Sequence, residues 1–473
     1  MKIPVFILSI SLYLSSCSFT PRAEWVTTTE NTPWAEQPDL ISALADTIPN
    51  IDITILTEKH QQQIDGFGAC FNELGWLSLS KLEPSVREEI MEELFFPGVG
   101  ANFTICRMPV GANDFSRDWY SYDEVDGDFT MEHFTIANDQ QTLIPFIKNA
   151  RKYQPDLRLW ASPWCPPAWM KYNKHYASAY TGENYDEKYR NGLSADKVGH
   201  EGTDMFIQDS LYLKAYALYF SKFIEAYKKH GIPIFAVMPQ NEFNSAQIFP
   251  SCCWTSASFI GNYLGPTMQV QGVDIMFGTM ERANESLVDT VLTDPASGKY
   301  VKGVGFQWAG KGAIAGIHKR YPGLKLYQTE QECGDGKNDW KGAMYSWGLM
   351  RHFLDNGVSA YMYWNISLEN GGISRWGWAQ NSLVVVDPQT KSYRYTPEYY
   401  VMKHVSHYVQ PGAYKLETEG AYTNLLAFRN PDNSIALIIA NETSDDRSLS
   451  IRIGDRVYTP IVKAYSMNTL LVD

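Results

Sequence analysis

The sequence predicts a (β/α)8 TIM barrel carrying a small all-β sandwich domain built from both chain ends. Two observations carry that prediction. Eight short apolar runs recur at 64–71, 102–109, 157–162, 234–240, 273–280, 301–308, 324–330 and 358–364, each followed by helical or loop sequence. Alternating strand and helix argues for a parallel sheet, and eight repeats argue for closure. Past about residue 404 the texture changes to alternating apolar runs at 425–428, 435–440, 449–453 and 461–472, with turns at Pro431-Asp432-Asn433 and Asp445-Asp446. That is an all-β module without helices.

Taken in order, the chain opens with Met1-Lys2 and an apolar run over 3–14, too short to span a bilayer. Leu14-Ser15-Ser16-Cys17 then resembles a bacterial lipobox, in which the cysteine becomes lipidated and N-terminal. A plain cleaved secretion signal is the alternative. Residues 1–16 are read as signal peptide and 17–50, with Pro21, Pro33, Pro38 and Pro49, as a lipid-anchored tether and loosely docked N-terminal segment. Either way the protein is expected to be exported; the lipobox reading makes it a bacterial cell-envelope lipoprotein that meets the membrane through its anchor alone. Residues 51–60 begin with a β-branched run of period two, Ile51 to Leu56, which reads as a strand joining the sandwich. The barrel is assigned to 61–403 and the C-terminal sandwich to 404–473. Two of its helices are clear. One runs over 211–229 and ends in Lys228-Lys229-His230 and Gly231, cations at the negative end of the helix dipole followed by a left-handed cap. The other covers 343–354 and stops at Asn356-Gly357.

Composition narrows the function. The net charge of −13 repels polyanions, so nucleic acid is a poor partner. With 14 Trp and 29 Tyr the chain is rich in flat amphipathic rings, which suit the faces of sugars. Seven scattered cysteines form no disulfide framework. With neither a C-x-x-C nor an H-E-x-x-H motif, no metal is implied, and no organic cofactor either. Gly66-Phe67-Gly68 and Gly98-Val99-Gly100 are not completed into a dinucleotide fingerprint, and no G-x-S-x-G elbow occurs.

Active sites of such barrels lie at the C-terminal ends of the strands. The polar residues delivered there are Arg107 and Asp114 from the second strand, Trp164 after the third, Asn241 and Glu242 after the fourth, and Gln307 and Trp308 after the sixth. Glu330 ends the seventh, and Trp364, Asn365, Trp376, Trp378 and Asn381 follow the eighth. A mouth with two carboxylate stations, an arginine and several indoles fits glycoside hydrolysis. That reaction needs a proton on the leaving oxygen and a carboxylate at the anomeric centre. Strands four and seven lie nearly opposite, so Glu242 is read as general acid/base and Glu330 as nucleophile. Arg107 is expected to keep Glu330 ionised and Asn241 to bond the sugar 2-hydroxyl. Glu332, two residues on, competes with Glu330 for the nucleophile's role and is placed with Asp335 in the outer loop.

Several stretches resemble glycoside hydrolase family 30. They are Gln63-Ile64-Asp65-Gly66-Phe67-Gly68, Arg107-Met108-Pro109 with Asp114-Phe115-Ser116, and Ala161-Ser162-Pro163-Trp164 with Trp169-Met170-Lys171. Gln240-Asn241-Glu242, Val291-Leu292-Thr293-Asp294-Pro295, Tyr327-Gln328-Thr329-Glu330 and Trp364-Asn365 with Gly371-Gly372 continue the match. The resemblance implies a barrel with a side β-sandwich, a retaining mechanism, Glu242 as acid/base, Glu330 as nucleophile, and sugar contacts by Asp114, Trp164, Asn241, Trp364 and Asn381. Two departures stand out. Gln307-Trp308-Ala309 replaces the His-x-Tyr common after strand six, and 331–336 after the nucleophile is changed. Both line the aglycone side, so ceramide specificity does not carry over. The expected activity is a retaining β-glycosidase on β-glucosides or related glycans, glucosylceramidase-like. The alternatives are an endo-β-1,6-glucanase, xylanase or β-fucosidase, or a non-catalytic glycan-binding lipoprotein.

Overall fold

The computed structural model describes residues 22–472. Eight parallel strands close a barrel in sequence order: Gly66–Cys70, Ile105–Pro109, Arg158–Ser162, Ala236–Val237, Asp274–Met280, Val301–Gln307, Lys325–Glu330 and Val358–Asn365. They are called strands one to eight below. Strand one packs so closely on strand two that a Cβ on Gly68 would lie 1.8 Å from the Ile105 carbonyl oxygen. The Gly-Phe-Gly stretch is therefore a close-approach device.

Strand four is the one that departs from its predicted length, with only Ala236–Val237 in ladder pairing. Beyond it the chain is held by single bonds: the Met238 amide donates to the Ala161 carbonyl at 2.9 Å and the Asn241 amide to the Pro163 carbonyl at 2.7 Å. Freed from the pleat, the backbone can turn sharply just before Glu242.

Helix Ser210–Lys229 starts on an Asp209 cap, whose carboxylate accepts from the Leu211 amide, and turns its Tyr and Phe face into the barrel's outer core. Helix Trp340–Asp355 starts on an Asp339 cap in the same way. Helix Pro397–Ser406 runs through residue 404, so the all-β module starts later than its sequence texture indicated, with strand Tyr414–Gly420.

The sandwich sheet has ten strands. Its centre runs Arg22–Thr29, Ser466–Val472, Ile435–Asn441, Leu425–Arg429, Tyr414–Gly420 and Ile53–Gln63. Alternate residues serve two cores. Leu437, Ile439 and Leu470 face a small core of their own, while Phe428, Ile438 and Met467 join the barrel's core. The tether reading of 17–50 is corrected from Arg22 onward: Arg22–Thr29 pairs residue for residue with Ser466–Val472, and Ala35–Ile41 pairs beyond it. Its inward residues include Thr27 and Thr28, which bond neighbours through their hydroxyls, so the segment lacks the apolar alternation that marks a half-buried strand. The signal peptide and Cys17 lie outside the described residues.

Candidate active site

Strand two does not end at Arg107 but carries it mid-strand, fully buried on the barrel axis. Six hydrogen bonds hold it. Nε and Nη2 donate to Ser162 Oγ at 3.2 and 2.9 Å, and Nη2 also donates to Asn241 Oδ1 at 2.6 Å. Nη1 donates to the Thr329 carbonyl and to Gln307 Oε1, both at 3.3 Å, and to Glu330 Oε2 at 2.9 Å. Trp164 lies over the guanidinium at 4.2 Å and stacks on Trp364 with centroids 5.3 Å apart. Arg107 is thus a cation built under Glu330, with its donors spent on protein atoms.

Glu330 closes strand seven. Its Oε1 accepts from the Trp308 indole at 3.0 Å, and its Oε2 accepts from Arg107 and, at 3.3 Å, from Gln307 Nε2. Glu242 sits after strand four with φ +46°, a left-handed conformation rare for a residue with a Cβ. Its amide is held by Thr279 Oγ1 at 2.9 Å. Glu242 Oε1 accepts from the same Gln307 Nε2 at 3.1 Å, while Oε2 has no partner among the described residues.

Gln307 therefore bridges the two carboxylates. Its amide is oriented by its oxygen, which accepts from Arg107 and, at 3.0 Å, from Thr329 Oγ1. Lying 3.1 and 3.3 Å from one nitrogen, the facing oxygens are no more than about 6.4 Å apart, short of the roughly 6.5–9.5 Å of inverting glycosidases.

The two acids differ in their surroundings. Burial pushes both up from the ordinary carboxylate range. For Glu330 the Arg107 cation and donors on Trp308 and Gln307 oppose that rise. Glu242 has the Gln307 amide as its one side-chain donor, and the charges of Glu330, Glu281 and Asp114 push it further up. Of the two, Glu242 is the one held further above the ordinary carboxylate range.

The remaining residues divide. Glu242, Glu330, Asp114, Trp308 and Trp378 line a common cavity of about 180 Å³. Asp114 and the Trp364 indole lie beside each other, and Asp114 Oδ1 and Trp364 Nε1 are both buried without a hydrogen bond of ordinary geometry among the described residues. Asn365 and Asn381 depart from their expected role as sugar contacts. Asn365 bonds Asn72, Gln380 and the Asn381 carbonyl, and Asn381 Oδ1 accepts from the Asn338 amide. They tie the eighth loop together below the mouth, because side chains at a strand end alternate between cavity and wall. Gln307 and Arg107 likewise contact the carboxylates rather than lining the cavity. Glu332 does not join Asp335: it takes Lys311 Nζ at 2.5 Å and the Tyr345 hydroxyl at 2.6 Å, while Asp335 pairs with Lys337.

Four cavity residues escaped the sequence reading: Gln247, Phe249, Gln380 and Glu281. Glu281 directly follows strand five and presents a third glutamate beside Glu242 and Glu330. The end of the fifth apolar run, Met280-Glu281-Arg282, holds the signal that finds it, by the same strand-end logic that found the others.

Comparison with known proteins gives the family. The family model described as the glycosyl hydrolase family 30 TIM-barrel domain matches residues 64–409, and that of the family 30 beta sandwich domain matches 412–470. The chain is 30% identical over 448 residues to putative glucosylceramidase 1 of Caenorhabditis elegans, covering 88% of this chain and 81% of that protein. It is 29% identical over 417 residues to the endo-1,6-beta-D-glucanase neg1 of Aspergillus fumigatus, covering 82% and 80%. The crystal structure of SrfJ from Salmonella typhimurium superposes with a TM-score of 0.83 at 22% identity, covering 95% of this chain and 99% of that one. The family 30 barrel model over 64–409 and the family 30 sandwich model over 412–470 make this chain a member of glycosyl hydrolase family 30, a retaining O-glycosyl hydrolase.

Proposed function

We propose that the enzyme cleaves β-glucosidic bonds by double displacement, with Glu330 as nucleophile and Glu242 as acid/base. The observation that supports this most directly is the Gln307 bridge, which ties the two carboxylates to one amide at a single cavity. The names of the relatives, a glucosylceramidase and a glucanase, share a glucosyl group, and that group is the sugar assigned here to the cavity.

In the first step Glu330 Oε1 or Oε2 bonds to the anomeric carbon as the bond to the leaving oxygen breaks, and Glu242 passes its proton to that oxygen. Arg107 and Trp308 keep Glu330 ionised until it attacks. In the second step Glu242, now a carboxylate, takes a proton from water as the water oxygen bonds to the anomeric carbon and Glu330 leaves. Asn241 has its oxygen committed to Arg107 and, at 3.0 Å, to Thr279, so its amide nitrogen is the group turned to a sugar hydroxyl. Asp114 accepts another. Trp378, partly exposed at the rim, supplies an apolar ring face.

The test is trapping with an activated 2-deoxy-2-fluoro-β-glucoside followed by peptide mapping. Label on Glu330 is expected; label on Glu332, or none with turnover intact, overturns the assignment. The same reading places the enzyme outside the cytoplasm on a lipid held by Cys17, for which the support is the lipobox-like run before it. Incorporation of labelled fatty acid in vivo, lost in Cys17→Ala, is the expected result.

A further inference from the structure

The cavity described above has two unlike halves. One half is lined by Asp114, after strand two, backed by Trp364 beside it and by Trp164 stacked on Trp364. The leaving group, which must meet the proton of Glu242, is directed to the other half, over strands four to six. Glu281 stands in the middle of that half.

Several contacts make Glu281 a fixed element of the wall. Its amide donates to Asn244 Oδ1 at 3.2 Å, and Asn244 Nδ2 donates back to the Arg282 carbonyl at 2.7 Å, locking the end of strand five to the loop that carries Glu242. Its carboxylate pairs with the Arg282 guanidinium, whose other arm reaches Glu201 at 3.2 Å. The residue is only 6% exposed, yet it lines the cavity. A carboxylate has about four acceptor positions, so the one cation leaves acceptor capacity facing the space where a leaving group sits. Burial raises its pKa and Arg282 opposes the rise.

We infer that Glu281 is a specificity-determining residue that accepts hydrogen bonds from hydroxyls of the leaving group, and so selects a second sugar over a hydrocarbon chain. This rests on the β-glucosidase reading above. A sugar offers O–H donors to a fixed buried acceptor. An alkyl chain offers none, covers the carboxylate and strips its water without replacement. Sites built to bond a substrate hydroxyl discriminate strongly against analogues that lack it.

The experiment measures kcat and KM for the wild type, Glu281→Gln and Glu281→Ala on three substrates: an activated aryl β-glucoside, a long-chain alkyl β-glucoside and a β-1,6-linked glucose disaccharide. The wild type is expected to prefer the disaccharide over the alkyl glucoside. Glu281→Ala should lower kcat/KM for the disaccharide by about tenfold or more, chiefly through KM, and erase most of that preference. Glu281→Gln keeps volume and an acceptor, so it should fall between the two. A wild type that favours the alkyl glucoside overturns the inference. So does an equal loss on all three substrates with a displaced alkaline limb, which would mean that Glu281 acts on Glu242 alone; in both cases the β-glucosidase reading stands. A wild type inert on the aryl glucoside too would remove that reading and the inference with it.

Discussion

Two regions of the molecule bury ionisable side chains, and they do so in opposite ways. At the seam between helix Pro397–Ser406 and the sandwich sheet, His404 is fully buried, with Nδ1 2.8 Å from Thr469 Oγ1 and Nε2 2.8 Å from Thr28 Oγ1. Thr469 Oγ1 donates to the His404 carbonyl, so it accepts from Nδ1–H, and Nε2 is left to accept from Thr28. Each ring nitrogen is answered, the ring is neutral, and burial holds its pKa down at about 3. At the barrel mouth, Glu242 and Asp114 are just as buried, yet each has an oxygen without a partner. A buried unsatisfied polar atom costs about 1–3 kcal/mol. The seam closes its polar valences for stability, whereas the mouth holds them open for a substrate to close.

Substitutions sharpen this contrast, with the largest effect at the mouth. Glu330→Gln should cut kcat by about 10⁴-fold or more and lower the melting temperature, because the buried Arg107 guanidinium loses the carboxylate it pairs with along with the nucleophile. Substantial residual turnover would break the assignment. Glu242→Ala should lower activity by roughly 10²–10⁴-fold on substrates with poor leaving groups and far less on activated aryl glucosides, which need little protonation. Equal losses on both would remove Glu242 as the acid.

At the seam the expected effects are on stability alone. Thr28→Val leaves His404 Nε2 without a donor and should cost about 1–2 kcal/mol in denaturant unfolding at pH 7, with kcat unaffected. The sign of the pH dependence follows from the depressed pKa of His404. Between about pH 6.5 and 3 the unfolded chain binds a proton there that the native state refuses, so stability falls with falling pH by up to about 1.4 kcal/mol per unit. In His404→Gln that contribution disappears, and the gap to the wild type should narrow from pH 7 to pH 5. The smallest effect returns to the mouth. Trp308→Phe removes one donor from the charged form of Glu330, and the acid limb of kcat/KM should move up by about half a unit.

Most of the barrel was legible in the sequence because its strands are short apolar runs between turn signals, and a parallel strand buried on both faces needs no finer pattern. Glu242, Glu330, Arg107 and Asp114 were legible for a second reason: a strand's end fixes where its next residues emerge. The same rule reaches Glu281 once strand five is treated like strands four and seven. What stayed hidden depends on side-chain direction. Asn365 and Asn381 have the residue type and place of sugar ligands, but whether an amide turns inward or toward its neighbour is settled by packing from loops distant in sequence. The N-terminal strands were masked by chemistry: threonines in Arg22–Thr29 find partners such as Asn468, more than 400 residues away, and a polar residue with a distant partner looks like a polar residue in a loop.

That pairing has a consequence for how the molecule comes into being. Strand Ser466–Val472 lies between Arg22–Thr29 and Ile435–Asn441, so the first-made strand has no inner neighbour until the ribosome has passed residue 472. Contacts this remote in sequence form slowly. Trimming even this one late segment would cut Arg22–Thr29 and Ala35–Ile41 off from the rest of the sheet, so an affinity tag or fusion joined there demands a spacer rather than a deletion.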